Sequence, residues 1–284
     1  MEWLPLEKDT HVKTQLTRVA AIQMTSTPDK FKNLIEAKKR LDEAVSKGAN
    51  LVCFPENFSL MAANSKDTIE GAEDLNGMTA ESLCEWAVEQ DVWIHSGSFP
   101  IRKKNKKITN TSLVISPDGE IVARYDKIHL FSAQIEGDRT YSEDQTYDPG
   151  NKIVSVDTPL GNLGLSICYD IRFPELYRKL ANKGAEILFI PVAFTVPTGK
   201  AHWDVLTRAR AIENQCYVVC SAQYGDHYPG RSTYGYTRII NPWGEIIAER
   251  PKGPGVIIAD LNLKEMKTTR KKLPALSHRK IKQV

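Results

Sequence analysis

Two stretches of this chain are near copies of one another. KGANLVCFPENF, Lys47 to Phe58, and KGAEILFIPVAF, Lys183 to Phe194, match at Lys, Gly, Ala, Pro and Phe, with aliphatic residues between. Each reads as the end of a helix, a glycine that lets the chain turn out of it, and a short continuous apolar strand halted by proline. A strand apolar at every position is covered on both faces, as in sheets layered with helices. Such junctions resemble one another in many folds, so the match has a plain explanation. The alternative is a chain of two similar halves, sheet packed against sheet. The residue after proline is Glu56 in the first copy and Val192 in the second, so the scaffold recurs and the carboxylate does not.

The rest of the pattern fits layers. TRVAAIQM, Thr17 to Met24, reads as a buried strand, and Thr27 and Pro28 are the predicted cap and first turn of a helix carrying Phe31, Leu34, Ile35, Leu41 and Val45 at helical spacing. Gly48 is its predicted stop. A second helix is predicted over about 79–90, with Leu83, Trp86 and Ala87 on one face, then the strand VWIHSGSF. SPDG, PLGN and NPWG separate three pairs of strand-like runs, each a hairpin signal. Helices are predicted over about 174–183 and 201–215. Strand–helix–strand units mixed with hairpins require mixed sheets with helices on their outer faces.

At 284 residues, one large α/β domain accounts for the whole chain. A formal charge of +3 is too small to point to nucleic acid, and no apolar run approaches the ~20 residues of a membrane span. The basic runs at 102–107 and in the C-terminal tail read as solvated ends. The first fifteen residues lack a basic-then-apolar pattern and carry acids, which argues against a secretory signal and, weakly, against a mitochondrial leader. Five cysteines, none in a CxxC pair, predict no disulfide framework, hence a reducing compartment such as the cytosol, and no zinc cluster.

Three ionisable residues stand just past strand-like runs: Glu56 after LVCFP, Lys127 after EIVARYD, and Cys168 after GLSI. Strand ends deliver functional groups to a crevice on a rigid support. Taken singly, each has an ordinary reading as a core thiol, a solvated acid or a surface lysine. Together they supply a nucleophile, a base to take its proton, and a cation to hold an oxyanion. The backbone N–H of Tyr169 is a second candidate oxyanion donor, placed where a strand-to-helix turn leaves amides unpaired. Cys168 with His129 or His202 as base is a rival arrangement, and a catalytically silent scaffold is another.

FPEN around Glu56, RYDKIHLF around Lys127 and CYDIRFPE around Cys168 resemble the three signature segments of the nitrilase, or carbon–nitrogen hydrolase, superfamily. AHWDVLTRARAIENQCYVV, Ala201 to Val219, does so too, and the resemblance runs from about Arg18 to Leu273. It implies an α/β fold, a four-layer α-β-β-α sandwich with two mixed β-sheets, assembled as a homodimer, with the tail at 263–284 packing on a partner subunit. It implies Glu56 as general base, Lys127 as oxyanion-stabilising lysine, Cys168 as nucleophile, and Glu143 of TYSEDQTYDPG as a second acid, with Glu136 and Asp144 as nearby alternatives. No cofactor or metal is implied. FTVPTG and AQYGDHYPGRSTYGY are similar to the Nit-type branch, which implies a small carboxylate-bearing amide, deaminated glutathione before α-ketoglutaramate or α-ketosuccinamate. A carboxylate calls for a cationic pocket. Arg172 is the first candidate, its alternative being a salt bridge to Asp170 or Glu175, and Arg231 and Thr198 are further candidates.

Overall fold

A computed structural model describes residues 17–103, 107–136 and 140–281. The opening fifteen residues and the middle of the basic run at 102–107 lie outside that range. The first half comprises β1 (Thr17–Gln23), α1 (Lys30–Ser46), β2 (Leu51–Cys53), α2 (Ser65–Glu70), α3 (Met78–Gln90), β3 (Trp93–His95), β4 (Phe99–Arg102), β5 (Ile108–Ile115) and β6 (Ile121–Asp126). A short hairpin follows, β7 (Ser132–Gln134) with β8 (Thr140–Ser142). The second half comprises β9 (Ser155–Thr158), β10 (Gly161–Leu165), α4 (Pro174–Asn182), β11 (Ile187–Phe189), α5 (Val196–Asn214) and β12 (Tyr217–Cys220). It continues through β13 (Tyr224–Tyr228), β14 (Arg231–Tyr234), β15 (Thr237–Ile240), β16 (Ile246–Arg250), β17 (Gly255–Leu261) and α6 (Leu263–Lys272).

One sheet runs β17-β1-β2-β3-β5-β4, with β6 also paired to β5; the other runs β16-β15-β12-β11-β10-β9. In each, three adjacent strands are parallel, β1-β2-β3 and β10-β11-β12, and the flanking pairs are antiparallel. The near-copied segments supply the middle parallel strand of each sheet, β2 and β11, so the two-half reading holds in three dimensions. Strand alternation divides the core into layers. Ala20, Ile22 and Val52 face outward to Leu34, Leu41, Leu83 and Ala87 of α1 and α3. Val19, Ala21, Leu51 and Cys53 face inward, in one cluster with Leu165, Ile187, Phe189 and Val219. His95 stacks on Phe189, with ring centroids 4.5 Å apart, and Ser221 Oγ donates to the Cys53 carbonyl at 2.8 Å, so the sheets touch directly. The molecule is a four-layer α-β-β-α sandwich, as the resemblance implies.

Several local expectations change. Asp29, not Thr27, caps α1, its side chain accepting from Lys32 N; Thr27 Oγ1 instead accepts from Asp29 N at 3.2 Å. Phe31 and Ile35 are exposed, and the small residues Ala37 and Ala44 pack with Leu34 and Leu41 instead. VWIHSGSF is two strands broken at Gly97, and α5 starts at Val196, five residues early, because Thr195 caps it by accepting from Thr198 N. In α6, Met266 is buried and Arg270 donates to the Gln215 and Ala185 carbonyls, contacts within one chain that do not bear on the packing expected of the tail on a partner subunit.

Candidate active site

Glu56, Lys127 and Cys168 all follow the C-terminal ends of strands, β2, β6 and β10, and the sandwich brings those ends together. Lys127 Nζ donates to Glu56 Oε1 at 2.9 Å and to Glu143 Oε2 and Oε1 at 2.8 and 3.1 Å. Lys127 is 1% exposed, Glu56 2% and Cys168 7%. Of the three acids near the β7–β8 hairpin, Glu143 is the one that reaches the cluster; Asp144 accepts from Ser132 Oγ at the surface. Glu143 also accepts from Phe131 N at 2.8 Å, which fixes the loop.

Cys168 has φ +48, a left-handed backbone for a residue with a Cβ. That conformation costs roughly 1–3 kcal/mol and persists only where surroundings enforce it. The enforcement is visible. Cys168 N donates to the Pro191 carbonyl at 2.9 Å. Asp170, fully buried, accepts from Ile167 N, Tyr125 Oη, His129 N and His129 Nδ1 at 2.8, 2.7, 3.1 and 2.7 Å. This one carboxylate ties the Cys168 turn to the loop that carries Lys127. Tyr169 opens the second position of that turn, and its ring packs on Phe131 and Phe173.

Burial pushes the Cys168 thiol well up, and the Glu56 charge adds to it; Lys127 and the Ala193 N–H pull the other way without reversing it. Lys127 is raised well above the ordinary lysine range: burial disfavours the ammonium, but Glu143, Glu56 and Cys168 outweigh burial. Glu143 is raised, first by burial and then by Glu56, against Lys127. Two acids and one ammonium thus share the site with a thiol that burial keeps protonated.

The cluster floors a cavity of about 430 Å³ lined by Glu56, Glu143, Cys168, Tyr141, Ala193 and Arg231, among others. Arg231 is held by its bonds to Tyr141 Oη, 2.6 Å, and the Ala193 carbonyl, 2.8 Å. Arg172 makes neither of the salt bridges weighed for it. Its Nη2 lies 3.2 Å from His202 Nδ1, and its guanidinium sits over the Tyr169 and Phe194 rings. With Thr198 it lines a small side pocket that shares Phe131, Cys168 and Ala193 with the main cavity. His129 is stacked on Phe173 and bonded to Asp170, and His202 is turned to Arg172, so neither is placed as a base for the thiol.

Sequence reasoning missed three participants. Asn110 donates to Glu56 Oε1 at 3.1 Å, and Gln223 donates to the Glu56 carbonyl at 3.0 Å. The Ala193 N–H bears on the thiol. The last was legible in principle: the second repeat, which lacks the carboxylate, supplies the Pro191 carbonyl and the Ala193 amide instead. Among the described residues no group of three or more His, Cys, Asp and Glu side chains is arranged to hold a metal ion.

A layered α/β sandwich with a buried thiol, carboxylate and ammonium at its strand ends defines a thiol-bearing hydrolase. The chain belongs to the carbon–nitrogen hydrolase family, whose model matches residues 18–271. It is 46% identical over 264 residues to a Synechocystis protein named deaminated glutathione amidase, covering 92% of this chain and 97% of that one. A mouse protein of the same name is 41% identical over 271 residues, covering 94% and 84%. The crystal structure of the C. elegans NitFhit protein superposes with TM-score 0.88 at 38% identity, covering 93% of this chain; this chain spans 65% of that longer one.

Proposed function

We propose that the protein is an amidase that hydrolyses a small carboxylate-bearing linear amide, deaminated glutathione foremost, to the acid and ammonia. The observation that carries the reading is the Lys127 ammonium held between Glu56 and Glu143, two acids that line one cavity with Cys168. Cys168 Sγ attacks the amide carbon as Glu56 takes the thiol proton. Lys127 Nζ and the Tyr169 N–H hold the oxyanion, each such donor being worth roughly 2.7–4 kcal/mol. Glu56 returns the proton to the nitrogen, the C–N bond breaks, and ammonia leaves a thioester. Water then gives its proton to Glu56 and attacks the thioester; the C–S bond breaks and the sulfur regains that proton. Glu143 keeps Lys127 aimed throughout.

Arg231 in the main cavity and Arg172 in the adjoining side pocket are the cations offered to the substrate carboxylate, with Thr198 in the pocket of Arg172. Names shared by relatives 40–46% identical favour deaminated glutathione. Two copies associate through the face bearing Val205, Ile212 and Trp243, all exposed in the single chain. All five cysteines are free, which suits a reducing compartment, the cytosol in this reading, and cell fractionation is its check.

Ammonia release is to be measured from deaminated glutathione, α-ketoglutaramate, glutamine and a simple nitrile. The expected result is highest kcat/KM on deaminated glutathione and none in Cys168→Ala. Preference for α-ketoglutaramate would reassign the substrate, and undiminished turnover in Cys168→Ala would end the thioester mechanism.

A further inference from the structure

Resting on that reading, we propose that Asn110 is a positioning residue: it occupies one oxygen of Glu56 and so assigns the other, Oε2, as the atom that accepts the Cys168 proton. Asn110 is the third of the eight residues of β5 and is fully buried. Its side-chain Nδ2 donates to Glu56 Oε1 at 3.1 Å. Its backbone carbonyl accepts from Lys127 N at 2.9 Å, so one residue holds the base and the lysine together. Lys127 Nζ donates to that same Oε1 at 2.9 Å. Two donors on Oε1 leave Oε2 for the thiol, which Glu56 meets as charge and as hydrogen-bond partner.

A purely structural role does not account for the residue. Asn is disfavoured inside strands, where Val, Ile or Thr packs better. Its Oδ1 is buried and, among the described residues, has no hydrogen-bond partner. An orphaned buried acceptor is destabilising, and an apolar side chain of the same size would remove it. An amide turned the other way would set its oxygen against a carboxylate oxygen, so the orphan follows from presenting the N–H to Glu56. The other titratable groups that act on Glu56 or Cys168 here are Lys127, Glu143 and Tyr147.

Asn110→Leu and the isosteric Asn110→Asp are to be compared with wild type in kcat, KM, thermal unfolding and the pH dependence of kcat/KM. In Asn110→Leu, kcat is expected to fall about 10- to 100-fold with KM within about threefold, a share of the ~10²–10⁴ that a placed base supplies. The acid limb is expected to move up by about one pH unit, because a donor to the charged form of the base has gone, while Tm holds or rises. Asn110→Asp is expected to move the acid limb further, since two carboxylates then compete. Wild-type kcat and acid limb in Asn110→Leu would overturn the assignment, as would a kcat loss tracking a lower Tm with the limb unmoved. If Asn110→Leu does not fold, an unmoved limb in Asn110→Asp overturns it. Wild type inactive on every amide, or Cys168→Ala fully active, would remove the underlying reading as well.

Discussion

The side chains nearest the chemistry are held in states that their free amino acids would not choose. Lys127 keeps its charge while almost wholly buried because two carboxylates flank it. The Cys168 thiol stays protonated because burial and Glu56 outweigh Lys127. Two histidines away from the reaction show the opposite response to burial. His227, bonded to the Ser26 carbonyl and Thr233 Oγ1 at 2.7 Å each, is pushed from 6.5 to about 4, burial being the main cause. His95, in the seam between the sheets, is pushed by burial to about 3. Both are neutral in the fold at pH 7, and the unfolded chain gains their protons first on acidification. Their contribution is therefore complete above pH 6.5 and is lost as pH falls from 6.5 through about 4 for His227 and about 3 for His95. Urea unfolding is expected to give a lower midpoint at pH 5 than at pH 7.5, with the difference reduced in His227→Gln. A midpoint that is flat across this range would contradict that account.

One close approach that sets the site requires glycine. Gly97, between β3 and β4, has φ +65, and a Cβ there would lie 2.1 Å from the Pro55 carbonyl oxygen, on the segment that carries Glu56. Gly184, the junction glycine of the second repeat, has φ +96 and open space around it. Gly184→Ala is expected to cost only the backbone strain, roughly 1–2 kcal/mol, with kcat unchanged. Gly97→Ala is expected to exceed about 4 kcal/mol, the size reserved for displaced buried backbone, and to lower kcat with it. Equal losses in the two variants, read by denaturant unfolding and steady-state rates, would show that Glu56 does not depend on this approach. Gly97 stands outside the repeat, whose junction glycines are Gly48 and Gly184; the proline that follows each junction leads into a carboxylate in one half and an amide donor in the other.

At the scale of the whole molecule, the two halves each contribute residues to the cavity, so Glu56 and Cys168, the proposed base and nucleophile, meet only when the halves pack. Gln223 and Ser26 make the joint, with Gln223 Nε2 bonded to Ser26 Oγ at 2.7 Å and to the Glu56 carbonyl. The outer surface carries the other large-scale feature. Val205 and Ile212 lie on one face of α5, and a Cβ on Gly244, next to Trp243, would meet Ile212 at 2.6 Å, so the three form one apolar patch. Trp243 is 61% exposed, uncommon for so large an apolar ring without a partner. Association of two copies over this face predicts that Trp243→Glu sediments as a monomer at concentrations where the wild type is a dimer; an unaltered sedimentation coefficient would place any interface elsewhere.

Much of this was set by local sequence. The apolar runs at β2 and β11, the turn signals at SPDG, PLGN and NPWG, and the proline at the start of α4 follow from short-range chemistry, and so do the positions of Glu56, Lys127 and Cys168 at strand ends. Family resemblance singled out Glu143 from its neighbours. What no local pattern contained was the company those residues keep. Phe31 and Ile35 have helical spacing yet face outward, because the face α1 buries is decided by the sheet beneath it. Arg172 stands four residues from Cys168 along the chain but lines a side pocket, while Arg231, 63 positions away, lines the main cavity. Asn110 reads as an ordinary strand residue until the sheet, with β3 between β5 and β2, brings its amide to Glu56. Sequence fixes which groups the chain carries and the rigid elements that bear them; their charge states, and which oxygen of which acid is left free, depend on distances that arise only when the two sheets pack and exclude water.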